Sequence, residues 1–221
     1  MASVIFPNDT VIDIGAHIGV FSVLFSNWAG SHGKVFSFEP DPRNLALLRR
    51  NLKYNQCENV EVIPAAVGSL NQPVALLINA QNSLDNRLTN DQHSEQAVMV
   101  ESIQLDTLEI LNDHRIDFIK MDIQGSEPPA VQGMKNILAS QPTVKLLTEF
   151  WPYGLTQAGH DPQKFLCDLR SLGFHLYQVG GEVFKLSADN DENFLKRFPH
   201  DSRRHINIFA TKDENWRPVR P

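Results

Sequence analysis

Thr10-Val11-Ile12-Asp13-Ile14-Gly15-Ala16-His17-Ile18-Gly19 (TVIDIGAHIG) is the stretch on which the fold turns. Thr10 to Ile14 is short, apolar and β-branched, which predicts a fully buried strand. Gly15 ends it, and a helix is expected from about Ile18 to Ala29, with Val20, Phe21, Leu24, Phe25 and Trp28 on one face. In an open α/β sheet, ligands bind beyond the carboxyl ends of the strands, so this turn is a candidate site. Gly15 is expected to let the backbone approach a ligand, and Gly19 to start the helix close against the strand.

Working outward, Lys34 to Glu39 reads as a second strand, and Asp41-Pro42 as the cap and first turn of a helix carrying Leu45, Leu48 and Leu52. Val60 to Ile63 is a third strand. Val74 to Ile78 and Ala97 to Ile103 read as a hairpin-like insertion around a polar tip, and Leu105 to Asn112 as a short helix. Ile116 to Asp122 and Val144 to Phe150 are the fourth and fifth core strands, separated by a helix over about Pro128 to Leu138. Asp161-Pro162 caps a helix with Phe165, Leu166, Leu169 and Leu172 inward and Cys167 in the core. Phe174 to Val179 and Ile206 to Thr211 follow without a long helix between them, which predicts an antiparallel last pair. The fold class is α/β: a doubly wound, mostly parallel seven-stranded sheet with an antiparallel last strand and a small β-hairpin insertion at about 74–103, in one domain over residues 1–221.

The chain has 221 residues, a net charge of −6 and two cysteines, Cys57 and Cys167, without metal spacing. It shows no long basic run, no apolar run of membrane length and no layout of a signal peptide. A cytoplasmic protein is expected, without nucleic-acid or membrane partners and without a metal. Trp216 and the proline-bearing tail suggest contact with a neighbour, as in a homodimer. A start this close to the first strand is expected of a chain trimmed at that end.

The turn does not suit a dinucleotide. His17 stands where the GxGxxG pattern has its second glycine, the one that makes room for a pyrophosphate. Asp13 and Glu39 form an acidic pair suited to a cationic nucleoside, and S-adenosylmethionine carries a sulfonium and an amine but no phosphate. Glu39 ends the second strand, where an acid accepts hydrogen bonds from ribose hydroxyls. Pro40 offers one flat wall to adenine, and Ala65 and Ala66 the other. The alternatives are an NAD-dependent oxidoreductase, disfavoured by His17, and a non-catalytic module that binds S-adenosylmethionine.

VIDIGAHIG, FEP, IPAAVG and IDFIKMDIQGSE, in that order, resemble the FkbM family of methyltransferases over roughly Thr10 to Thr211. The resemblance implies a class I fold, S-adenosylmethionine as donor, and O-methylation of a hydroxyl on a sugar or other natural product. It places Asp13, Gly15 and Gly19 in the glycine turn, with Ala16 and His17 between them, Glu39 at the ribose, and Asp122 and Gly125 in the fourth-strand pattern. Gln124 stands where the family often has glutamate, and His17 where it often has asparagine.

Methyl transfer to a hydroxyl needs alignment and usually a base. Candidates lie at the ends of the fourth and fifth strands. Asp122 is either a base or a holder of the methionine amine, and Glu149 either a base or an acceptor-binding group. Glu127 lies near both. His17 is either a base, since imidazole titrates near neutrality, or a backbone cap. Gln124, Trp151 and Tyr153 are expected at the acceptor, whose attacked atom is oxygen or nitrogen. Asp85, Asn86 and Arg87 are expected to close over the site from the insertion.

Overall fold

The computed structural model describes residues 4–79, 86–89, 96–180, 183–198 and 204–217. Five parallel strands make the centre: β1 (Thr10–Ile14), β2 (Lys34–Phe38), β3 (Val60–Ile63), β8 (Phe118–Met121) and β9 (Lys145–Phe150). β10 (His175–Val179), β11 (Phe184–Leu186) and β12 (Ile206–Thr211) complete a sheet ordered β11-β10-β12-β9-β8-β1-β2-β3. β12 runs antiparallel to both β9 and β10, as the short connection predicts. The sheet has eight strands rather than seven. The extra edge strand, β11, is too short to leave a periodic signal.

The chain runs outward from β1 through β2 to β3, then crosses back to β8 and β9. β1 is therefore the switch point, and the carboxyl ends of β1, β2, β8 and β9 open on one edge. Buried apolar side chains such as Ile12, Ile14, Phe36, Ile119 and Leu146 make the core beneath that edge.

The insertion is a sheet in its own right. β4 (Ala66–Val67), β5 (Gln72–Leu77), β6 (Arg87–Thr89) and β7 (Ala97–Ile103) pair in the order β4-β7-β5-β6, more than the expected hairpin. Ala66, Leu76 and Val100 form its small buried cluster, with Leu88 packed against it.

Several local expectations are corrected. In α1 (Val20–Ala29) the buried face is Ser22, Phe25, Ser26 and Ala29, while Val20 and Leu24 are exposed. Polar residues took buried positions because each hydroxyl found a partner: Ser22 donates to Asp13 and Ser26 to Asn59. In α2 (Pro42–Tyr54) the cap and leucine stripe stand as expected, with Asp41 accepting from the Arg43 N–H. Residues 105–112 form two 3-10 turns, Leu105–Thr107 and Glu109–Leu111. The helix expected over 128–138 breaks at Met134 into α3 (Glu127–Gly133) and α4 (Lys135–Ser140). α5 (Pro152–Gln157), α6 (Pro162–Ser171) and α7 (Asp191–Leu195) follow in the C-terminal half. Cys167 on α6 is exposed, because Leu166 and Leu169 fill the inward side. Trp216 folds back onto its own sheet, its ring centroid 4.5 Å from Phe209 and 4.7 Å from Tyr177.

Lys212, just past β12, ties that strand to α4. Its Nζ donates to the carbonyls of Leu138 (2.6 Å), Ala139 (3.1 Å) and Gln141 (3.0 Å) at the helix end. Those carbonyls have no intrahelical partner and carry the negative end of the helix dipole. Lys212→Met is expected to lower stability by about 1–2 kcal/mol, read from the urea unfolding midpoint with m unchanged.

Candidate functional site

The turn after β1 is shaped by close approach to β8. Gly15 has φ +76°, and a Cβ there would lie 2.2 Å from the Asp122 carbonyl oxygen. Its missing side chain thus serves backbone contact with β8. Gly19 likewise faces Leu48 of α2, and Ala16 packs with Leu45 and Leu48, so neither lines the cleft. Between them His17 adopts φ +51° and turns its N–H to Glu39 Oε2 at 2.8 Å.

Glu39 is nearly fully buried. Its Oε2 accepts from the His17 N–H; its Oε1 accepts from the Asp41 N–H (2.9 Å) and the Asn44 amide (3.4 Å). Burial raises its pKa, and those bonds work against the rise. The carboxylate thereby joins the β1 turn to the start of α2 and stands in the wall of a cleft with about 720 Å³ of empty space. Gly15, His17, Pro40, Ala65, Ala66 and Asp122 line the same cleft. Phe38, Asn44, Leu76, Ile123 and Ser126 line it too, without a sequence signal that distinguishes them.

Asp13 does not reach the cleft. It is wholly buried, accepts from the Ser22 hydroxyl at 2.7 Å and lies 3.5 Å from Lys120 Nζ. Its charge is matched from below, so the expected acidic pair is divided: Glu39 faces the cavity and Asp13 supports its floor. Lys120, missed in the sequence, is the hub. Its Nζ donates to the Gly15 carbonyl at 3.4 Å and sits 4.0 Å from Asp122 Oδ2. A lysine inside the apolar run Phe118–Met121 was the available signal.

The turn after β8 gathers three acids. Asp122 faces the cleft, its side chain 42% exposed. Gln124, at φ +56°, donates through one amide nitrogen to Asp122 Oδ1 (3.2 Å) and Glu149 Oε2 (3.0 Å). Glu149 lines neither cleft; it stands behind Gln124, with His205 Nε2 3.8 Å from its other oxygen. Burial, then the Asp122 charge, pushes the Glu149 carboxyl up to about 7. Glu127 is buried and accepts from the N–H groups of Ile123 and Gly125, which holds the turn; burial pushes it up to about 8. Burial and the neighbouring Lys120 lower the pKa of His17.

A second cleft, about 1570 Å³ of empty space, adjoins the first, sharing Arg87, Leu88 and Ser126. Trp151 and Tyr153 wall it, their rings 5.7 Å apart. Asn86 lines the first cleft and donates to Asp41 Oδ2 at 2.8 Å, which locks the insertion to the cap of α2. Asp85 lies outside the described residues.

Residues 13–176 match the family model described as the methyltransferase FkbM domain. Over 150 residues the chain is 22% identical to "Methyltransferase 1" of Beauveria bassiana, a match covering 58% of this chain and 60% of that protein. The solved methyltransferase FkbM of Methylobacillus flagellatus superposes with a TM-score of 0.57 at 16% identity, over 92% of this chain and 43% of that one. Aeropyrum pernix fibrillarin, solved with natively bound S-adenosyl-L-methionine, gives 0.50 at 13% identity, over 93% and 67%. The chain therefore spans under two thirds of the length of the first two. The family match sets the oxidoreductase alternative aside.

The two buried acids give stability a defined pH dependence. A carboxyl raised in the folded state favours folding below its unfolded pKa, near 4.5, and loses that contribution as pH rises through the folded value. Stability is expected to fall between about pH 5 and 8. Glu127→Gln is expected to flatten part of that slope, at the cost of one accepted N–H bond, as read from urea midpoints across the range.

Proposed function

The chain belongs to the FkbM methyltransferase family, and on that premise we propose that it O-methylates a hydroxyl on a sugar or other small natural product, with S-adenosylmethionine as cofactor. Glu39 is the observation that carries the reading. Each carboxylate oxygen has two lone pairs, so Oε2, bonded once, keeps one for a ribose hydroxyl, and Oε1 can take a second hydroxyl in exchange for its long 3.4 Å bond from Asn44. Phe38, Pro40 and Ala65 supply apolar wall for a purine, and Asp122 a carboxylate for an ammonium group. These residues fit a cationic nucleoside.

When bound, the cofactor supplies a methyl group already activated on a sulfonium. The protein's part is alignment and one proton. Asp122 holds the amine. The second cleft, walled by Trp151 and Tyr153, takes the acceptor beside Ser126, with Gln124 in the adjoining first cleft. Glu149, poised near neutrality, is the base we favour for the hydroxyl proton, reached as Gln124 shifts from between the two acids.

Titration calorimetry with S-adenosylhomocysteine is expected to show binding that Glu39→Ala weakens about tenfold or more, while NAD does not bind. Mass spectrometry of a hydroxylated panel incubated with the donor should find methyl ethers; methylamines alone would move the reaction to nitrogen. With a turned-over acceptor, kcat should rise with pH through about 7. Glu149→Gln should remove that limb and lower kcat about 100-fold. A limb displaced below the ordinary imidazole value of 6.5 would pass the base role to His17.

A further inference from the structure

The two clefts differ in charge. The first carries Glu39 and Asp122, which suit a cation. Among its described lining residues the second has no aspartate or glutamate, and its one permanent cation is Arg87. His160 also lines it, and burial lowers its pKa, which keeps it neutral at neutral pH. Hydroxyls and amides make up much of the polar remainder, among them Thr89, Ser102, Gln72 and Gln157.

Arg87 opens β6, paired with Leu77 of β5, and is exposed at the junction of the two clefts. Its guanidinium makes no hydrogen bond or ion pair with any described residue. The strand beneath it is fixed: Leu88 packs on Leu76, and Asn86 is bonded to Asp41. A planar fork of N–H donors, held on a strand and without a carboxylate partner among the described residues, matches a carboxylate or phosphate in geometry and charge.

We propose that the acceptor carries an anionic group, a carboxylate or a phosphate ester, bound by Arg87 in the second cleft. Because Arg87 and Ser126 belong to both linings, the anion sits within a few bonds of the reacting hydroxyl, against the Trp151–Tyr153 wall. The acceptor is thus of the size of a hydroxy acid or a sugar phosphate. The inference rests on the second cleft being the acceptor site.

The test is equilibrium binding to protein saturated with S-adenosylhomocysteine, followed by tryptophan fluorescence, with matched probes. 4-Hydroxybenzoate is set against 4-hydroxybenzyl alcohol, and glucose 6-phosphate against glucose; the two pairs separate carboxylate from phosphate. At least one anionic member is expected to bind about tenfold tighter than its neutral counterpart. In Arg87→Met that ratio should fall to near one, with Arg87→Lys between. Equal binding within both pairs, no binding of either anion at millimolar concentration, or a ratio unmoved in Arg87→Met would overturn the proposal. So would Arg87→Met weakening S-adenosylhomocysteine as much as the anions, which would give the guanidinium to the donor. If the wild type fails to bind S-adenosylhomocysteine, the reading of the first cleft falls; binding without anion preference removes this inference alone.

Discussion

Everything at the open edge depends on how closely β1 and β8 approach where the sheet reverses direction. The Gly15 backbone touches the Asp122 carbonyl at a distance no side chain tolerates. Lys120 secures the contact from below, reaching the Gly15 carbonyl, Asp13 and Asp122 from one ammonium. A buried lysine is costly unless paired, and here the pairing joins the two turns that bound the cleft. Removing Lys120 would leave Asp13 as an uncompensated charge under the floor.

That arrangement explains why the cleft can hold carboxylates at all. Asp13 spends its charge on Lys120 and its remaining oxygen on Ser22, which in turn accepts from Ser37. Glu39 spends its first lone pairs on backbone N–H groups, which fix its position before any ligand arrives. A preorganised acceptor loses little on binding. The apolar walls around it leave the carboxylate as the polar feature a nucleoside would find first.

The sequence made most of the frame legible: strand–helix alternation, Asp41 as cap, the leucine stripe of α2 and the antiparallel last strand each have a local physical cause. It misled where periodicity was asked to decide a face. Val20 and Leu24 looked inward because apolar residues usually are, yet Ser22 and Ser26 won those positions through hydrogen bonds to distant Asp13 and Asn59. The site was legible at Gly15, Glu39, Pro40, Ala65 and Asp122, all near strand ends. It was not legible at Asp13, because adjacency in sequence to a binding turn does not say which way an alternating strand side chain points. Lys120 points to the same cleft floor from β8, and only its pairing in register with Asp13 reveals the partnership.

Gln124 shows how one departure from a family pattern can alter the chemistry of a site. Its amide donates to Asp122 and Glu149 together, so two carboxylates share a neutral bridge. A glutamate in its place would add a third negative charge to the group, with Glu127 buried nearby, and could bridge its neighbours only when protonated. With glutamine, Asp122 keeps a donor and still faces the cleft, while burial and the Asp122 charge push the Glu149 carboxyl up to about 7. The pair is then separated in role by environment: Asp122 faces the cleft, and Glu149 stands behind Gln124, able to exchange a proton near neutral pH. The left-handed backbone of Gln124 is part of the same device: it turns the side chain back across the ends of β8 and β9, where an extended residue would carry it away from both acids.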